Sequence, residues 1–275
     1  VADAPDLRRY GPWALVTGAS SGIGEQFARQ LAASGLDLVL VARRAGRLSA
    51  LKDDLVATHG IAVELRIENL AEPRAIDRVL ASIGERDVGL LVSNAGFGLK
   101  GPFAGHARAQ IEAMFDLNAR APLLLLHGLL PRLAQRPAAG IILTGSQEGE
   151  APFPWSSAYA ATKAFVHSLG QSLYGECRGT GIDVLVLAPG ATDTEALPLQ
   201  GFDPRALSGL MSPADVARQA LERLGRTPLH VPGRMNRVFV ALLRRLPRRW
   251  AIALAGRAMA AALQQAGRPV PTPAD

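Results

Sequence analysis

Trp13-Ala14-Leu15-Val16-Thr17 is a short apolar run that stops at Gly18, passes through Ser20, Ser21, Gly22 and Ile23, and resumes as a helix from Gly24 to Ala33. Phe27, Ala28 and Leu31 share one face of that helix, and Gly35 suits its end. The alternation then continues. Strands are expected at 36–42, 62–67, 88–92, 140–144, 182–188 and 229–231. Helices are expected at 48–58, 73–83, 108–130, 157–178 and 213–224. Pro73 opens one helix, Pro122 should kink or break the long one, and Ser212 is placed to cap the last. Strands that are near-continuous apolar runs, each followed by a helix, predict a parallel sheet of about seven strands covered on both faces.

A length of 275 residues admits one large α/β domain or two small ones, and no stretch reads as a linker. Aromatics make up only 5%, so a core drawn from the 48% hydrophobic residues must be mostly Ala, Val, Leu and Ile. Cys177 is the sole cysteine, which excludes an intramolecular disulfide and a Cys-rich metal site. His59, His106, His127, His167 and His230 show no ligand spacing, so no metal is expected. Val1 to Asp6 carries acids and no apolar run, which does not resemble a signal peptide, and a reducing cytoplasm is the default expectation.

The net charge of +6 is unevenly placed. Residues 234 to 268 hold eight arginines (Arg234, Arg237, Arg244, Arg245, Arg248, Arg249, Arg257 and Arg268) and no acid. The remainder carries 22 basic and 24 acidic residues, a net −2.

Three glycines in the first turn let the backbone approach a pyrophosphate resting on the helix N-terminus, although the spacing is GxxxGxG and not GxGxxG. At the end of the second strand an acid would select NAD and a base would accommodate the 2′-phosphate of NADP. Here stand Arg43 and Arg44, nineteen and twenty residues past Gly24. Two solvated arginines are the plain alternative; the nucleotide context favours a phosphate clamp. Further on, Tyr159 and Lys163 are one helical turn apart and share a face. A phenol titrates near ~10 in water, and a neighbouring cation favours its ionised form. Such a tyrosine can exchange a proton with a carbonyl or alcohol oxygen.

With Ser146 thirteen residues before Tyr159, Asn94-Ala95-Gly96, Asn118 and Pro189-Gly190 all in order, residues 11 to about 232 resemble the short-chain dehydrogenase/reductase family in its NADPH-preferring type. The resemblance implies a Rossmann-type doubly wound parallel sheet and reversible carbonyl reduction. It implies that Tyr159 is the acid in reduction and the base in oxidation, and that Lys163 lowers its pKa and bonds the nicotinamide ribose. Ser146 would bond the carbonyl oxygen, and Asn118 would anchor a water reaching Lys163. Gly18, Ser20, Ser21, Gly22, Ile23 and Gly24 would cradle the phosphates, with Asn69 and Leu70 beside the adenine. Asn94, Ala95 and Gly96 would line the adenosine ribose; Pro189, Gly190, Thr192 and Thr194 would face the nicotinamide. NADP(H) is expected over NAD(H), which is also admitted. Asn69 departs from the family's usual Asp, and Gln147-Glu148 follows the serine where small or apolar residues are usual. Glu148 is read equally as facing substrate or as solvated.

The chain also continues beyond the family's usual end, which divides it into a Rossmann-type oxidoreductase domain, 1–232, and a basic amphipathic extension, 233–275. Two short helices are expected around Pro247, since no run reaches the ~18 apolar residues of a membrane span. Packing on the body, as a lid over the cleft, or on a partner subunit is favoured over peripheral membrane contact through 234–266, and nucleic-acid binding is not expected. The function expected is an NADP(H)-dependent oxidoreductase interconverting a carbonyl and a secondary alcohol, as a homodimer or homotetramer. The Ala- and Leu-rich segment Ala196–Met211 suggests an apolar or amphipathic substrate, such as an acyl chain, sterol or aromatic ketone. A catalytically silent nucleotide-binding regulatory protein and an epimerase or dehydratase on the same fold are the rival readings. An intact Ser146, Tyr159, Lys163 and Asn118 argues against the first, and the second needs site groups that are not evident.

Overall fold

A computed structural model describes residues 6–203, 209–268 and 270. The reading of Val1 to Pro5 and the middle of the Ala196–Met211 segment, residues 204–208, lie outside the described residues. Seven parallel strands form one sheet: β1 (Trp13–Thr17), β2 (Asp37–Ala42), β3 (Val63–Ile67), β4 (Val88–Ser93), β5 (Ala139–Thr144), β6 (Ile182–Leu187) and β7 (Leu229–His230). Their spatial order is β3-β2-β1-β4-β5-β6-β7. The order reverses between β1 and β4, and the crevice outside the strand ends at that point is where such sheets bind ligands.

Alternation along the strands sorts the core into two layers. Ala14, Val16, Leu38 and Leu40 face Phe27 and Leu31 of α1 (Gly22–Ala33), Leu48 of α2 (Ala45–His59) and Val216 and Leu221 of α8 (Pro213–Arg223). Leu15, Val39, Val41, Leu91 and Ile141 face α3 (Ala75–Ile83), α5 (Ala121–Leu133) and α6 (Ser157–Glu176). The doubly wound expectation is met, and the Ser212 hydroxyl accepts from the Asp215 N–H to cap α8.

Most element ends fall within a few residues of the sequence reading, α2 starting at Ala45 and not at Leu48; two differences have a visible cause. The helix expected from Pro73 begins only at Ala75, because Arg74 takes a left-handed conformation with φ 60°. The long helix expected over 108–130 is three pieces: α4 (Arg108–Phe115), a π-helical segment Asp116–Arg120, and α5. The discontinuity precedes Pro122, which occupies the first turn of α5, where its missing N–H costs nothing.

Past β7 the chain forms α9 (Arg234–Arg245) and α10 (Arg248–Gln265), with a four-residue helix α7 (Ala196–Leu199) earlier in the chain. Leu243, Ala251 and Ala255 pack with Phe153 and Ala160 at the start of α6, and Leu263 packs with Phe202 and Trp155. Packing on the body is therefore observed. Among the described residues no helix is long and apolar enough to cross a membrane.

Candidate active site

The ends of β1, β4 and β5 are tied together before any site residue is placed. The Thr17 hydroxyl accepts from the N–H groups of Asn94 (2.9 Å) and Ala95 (3.0 Å). The Asn94 amide donates to the Thr17 carbonyl at 3.3 Å, and its Oδ1 accepts from Thr144 Oγ1 at 3.2 Å. A Cβ at Gly24 would lie 2.2 Å from the Gly18 carbonyl oxygen, so the turn and α1 close on each other only with glycine there. Ser21, the residue before α1, makes no side-chain cap, which leaves the first N–H groups of that helix for another acceptor.

A cleft of about 1010 Å³ runs along these strand ends. Every residue assigned from the sequence to cofactor or catalysis lines it, except Gly24 and Asn118. Arg43 is exposed at its edge, with no hydrogen bond or ion pair among the described residues. Arg44 is employed differently. Its guanidinium donates to the Ser20 and Ser21 hydroxyls (3.0 and 2.6 Å) and to Glu195 (2.6 Å), clasping the glycine-rich turn to the segment before α7. Asn69 donates to Glu72 at 3.2 Å while lining the cleft, and Leu70 is buried.

Asn118 lies behind the cleft, 1% exposed, in the π segment. Its Oδ1 accepts from the Phe97 N–H at 3.1 Å, and its Nδ2 donates to the Phe97 carbonyl at 2.8 Å and to Thr162 Oγ1 at 3.2 Å. It thereby pins the Asn94–Phe97 loop to α6. Tyr159 and Lys163 project from the first turns of α6, with the Lys163 ammonium 5.7 Å from the phenol ring centroid and donating to the Thr144 carbonyl at 2.8 Å. The Ser146 hydroxyl accepts from the Glu148 N–H at 3.2 Å and hydrogen-bonds the Tyr159 phenol.

The phenol nevertheless does not lie below its ordinary value. Burial, reinforced by the Glu148 carboxylate, pushes Tyr159 well above its ordinary value, and the Ser146 hydrogen bond offsets only part of this. Lys163 is itself lowered to about 8, by burial first; Glu148 opposes the shift and Lys100 adds to it. A protonated phenol at neutral pH is a proton donor, the state that carbonyl reduction needs.

Lys100 is a residue of the cleft that the sequence reading missed. It is 5% exposed, and its ammonium donates to both oxygens of Glu148 (2.6 Å each) and to Ser156 Oγ (2.8 Å). Glu148 thus belongs to the site and is not solvated. The signal available was the departure at Gln147-Glu148, since an acid in an apolar wall needs a buried cation. Beyond this pair the cleft is walled by Phe153, Leu197 and Phe202, and by Asn236, Phe239 and Met259 of α9 and α10.

Residues 12–200 match the family described as short chain dehydrogenase. The chain belongs to that family and is an oxidoreductase. It is 31% identical over 230 residues to a 7beta-hydroxysteroid dehydrogenase of Clostridium sardiniense, covering 83% of this chain and 88% of that one. It is 36% identical over 231 residues to a sulfoacetaldehyde reductase of Chromohalobacter salexigens, covering 79% and 89%. Among solved structures, a 7beta-hydroxysteroid dehydrogenase superposes with TM-score 0.84 at 27% identity over 90% of this chain and 98% of that one. A short-chain dehydrogenase from Sphingobium yanoikuyae in complex with NADPH superposes with TM-score 0.77 at 33% identity, covering 96% and 98%.

Proposed function

We propose that the protein interconverts a ketone and a secondary alcohol on a bulky, largely apolar substrate, using NADP(H). The observation that carries this reading is the Tyr159 phenol, set beside Ser146 and Lys163 in a cleft whose outer wall is apolar. The residues present fit a dinucleotide: an uncapped helix N-terminus behind the glycine-rich turn, and Arg43, without a partner among the described residues, at the end of β2. The NADPH complex of the Sphingobium relative and the steroid named for the Clostridium relative point the same way.

The nicotinamide supplies or accepts the hydride when bound. The protein's own residues orient and move the proton. Ser146 and Tyr159 offer two hydroxyls to one oxygen, so a carbonyl there is polarised and protonated at the same atom. Lys163, fixed by Thr144, presents its charge beside the phenol and would hold the nicotinamide ribose. Asn118 holds the Phe97 loop that forms the opposite wall. Phe239 and Met259 exclude water from the outer cleft, so α9 and α10 act as part of the substrate enclosure. Apolar Phe115, Leu123 and Phe165, exposed on α4, α5 and α6, are the face on which a homodimer or homotetramer would close.

The test is NADPH oxidation with cyclic, bulky ketones against short aldehydes, in wild type and Tyr159→Phe. Turnover should favour the bulky ketones and be lost in the variant, with cofactor binding retained. A variant keeping more than roughly a tenth of the wild-type rate removes Tyr159 from the acid–base role.

A further inference from the structure

A buried histidine and acid join the C-terminal helices to Ser146 from behind the cleft. His167 lies on α6 one turn after Lys163 and is 3% exposed. Its Nε2 accepts the backbone N–H of Ser146 at 3.3 Å. Its Nδ1 lies 2.6 Å from Oε1 of Glu150, whose side chain is equally enclosed. The other Glu150 oxygen meets the Arg244 guanidinium of α9. Because a backbone N–H points at Nε2, that nitrogen must carry the lone pair, which places the ring proton on Nδ1, facing Glu150. The loop is drawn tightly onto the ring: a Cβ at Gly145 would stand 2.2 Å from Nε2, and one at Gly149 would stand 3.0 Å from Cε1. Burial alone would push Glu150 up, yet His167 and Arg244 together hold it below the usual carboxylate range. Neither His167 nor Glu150 lines the cleft.

We propose that His167 is a positioning residue that holds the Ser146 backbone so that its hydroxyl meets Tyr159, and that Glu150 and Arg244 hold the ring in the tautomer this requires. The C-terminal extension thereby reaches the proton-transfer site through Arg244. The proposal rests on the assignment of Ser146 to the reacting carbonyl. The charged groups on the ring's far side are Glu150 beside it and Arg244 of α9, which pairs with Glu150.

The experiment is kcat and KM for ketone reduction in wild type and four variants, with Ser146→Ala as a control and cofactor Kd measured in parallel. His167→Phe should lower kcat at least tenfold without changing cofactor Kd. His167→Gln, whose side-chain carbonyl still accepts a hydrogen bond, should recover most of kcat. Arg244→Ala and Glu150→Gln, which remove the outer partners of the ring, should each lower kcat with cofactor Kd unchanged. Arg244 is half-exposed, so its variant decides the matter even if a core variant misfolds. Wild-type kcat in Arg244→Ala, or a His167→Gln enzyme no faster than His167→Phe, overturns the proposal while leaving the site reading intact. A Ser146→Ala enzyme with wild-type kcat overturns both.

Discussion

The Lys100 ammonium lies 4.3 Å from the centroid of the Tyr159 ring. A cation on a phenol's face ordinarily favours ionisation. Here Lys100 is matched by Glu148, which it holds by two contacts of 2.6 Å, so the carboxylate cancels the effect of the ammonium on the ring. The phenol is left to burial and stays protonated.

Glu148→Gln should therefore release the phenol. The variant removes one of the two causes that raise Tyr159 and leaves Lys100 facing the ring without an anion. In alcohol oxidation, where Tyr159 must act as a base, the pH of half-maximal kcat should fall by about one unit. A midpoint equal to wild type would show that Glu148 has no influence on the tyrosine.

Arg43, not Arg44, is expected to set cofactor preference, because Arg44 is already committed to Ser20, Ser21 and Glu195. Arg43→Ala should weaken NADPH binding roughly tenfold and leave NADH nearly unchanged, as for one partly exposed charge-assisted contact. Fluorescence titration with both cofactors reads this directly. Equal wild-type affinities for the two would remove the phosphate clamp.

The burial of Lys163 has a signature in stability. Its folded pKa is about 8, against the ordinary lysine value of 10.5. Between those values the unfolded chain binds the extra proton, so this group makes stability rise with pH from about 8 to about 10. The gain is on the order of 3 kcal/mol. Urea unfolding of wild type and Lys163→Met at pH 7.5 and 9.5 should show the rise only in wild type. Parallel pH dependences would mean that the lysine is not desolvated.

Truncation after Pro232 would remove Leu243, Ala251, Ala255 and Leu263 from their contacts with Phe153, Ala160, Phe202 and Trp155. Uncovering that surface should lower solubility and raise KM for bulky ketones while the cofactor is still bound. Sedimentation, with and without anionic vesicles, and steady-state kinetics on the truncated chain give the readout. A monodisperse product with unchanged KM would separate the extension from the substrate site.

Most of the fold could be read from the sequence, because each buried strand is an unbroken apolar run and each turn is marked by glycine or proline. Ser146, Tyr159 and Lys163 could be read because fixed spacings on one strand end and one helix face bring them together. Lys100, His167 and Glu150 could not. Each is an ordinary polar residue whose partner lies at a distance set by the tertiary fold: 48 residues separate Lys100 from Glu148, and Arg244 reaches Glu150 from beyond the last strand. Arg43 and Arg44 were indistinguishable in sequence and divided only by which way each points. The π segment was hidden for a related reason: Pro122 is the evident breaker, and no residue type marks the wide turn before it.

That π segment is a matter of register. Five residues, Asp116 to Arg120, take one wide turn between two α-helices, and Asn118 is among them. Each α-helical residue turns the chain by ~100°. Deleting a single residue such as Leu117 would let the helix close into regular winding and rotate everything upstream by about that angle relative to α5. Asn118 would swing away from Phe97 and Thr162, and α4 would present a different face to its surroundings. One surplus residue in the helix thus works as a phase shift that keeps an amide aimed at the loop in front of it.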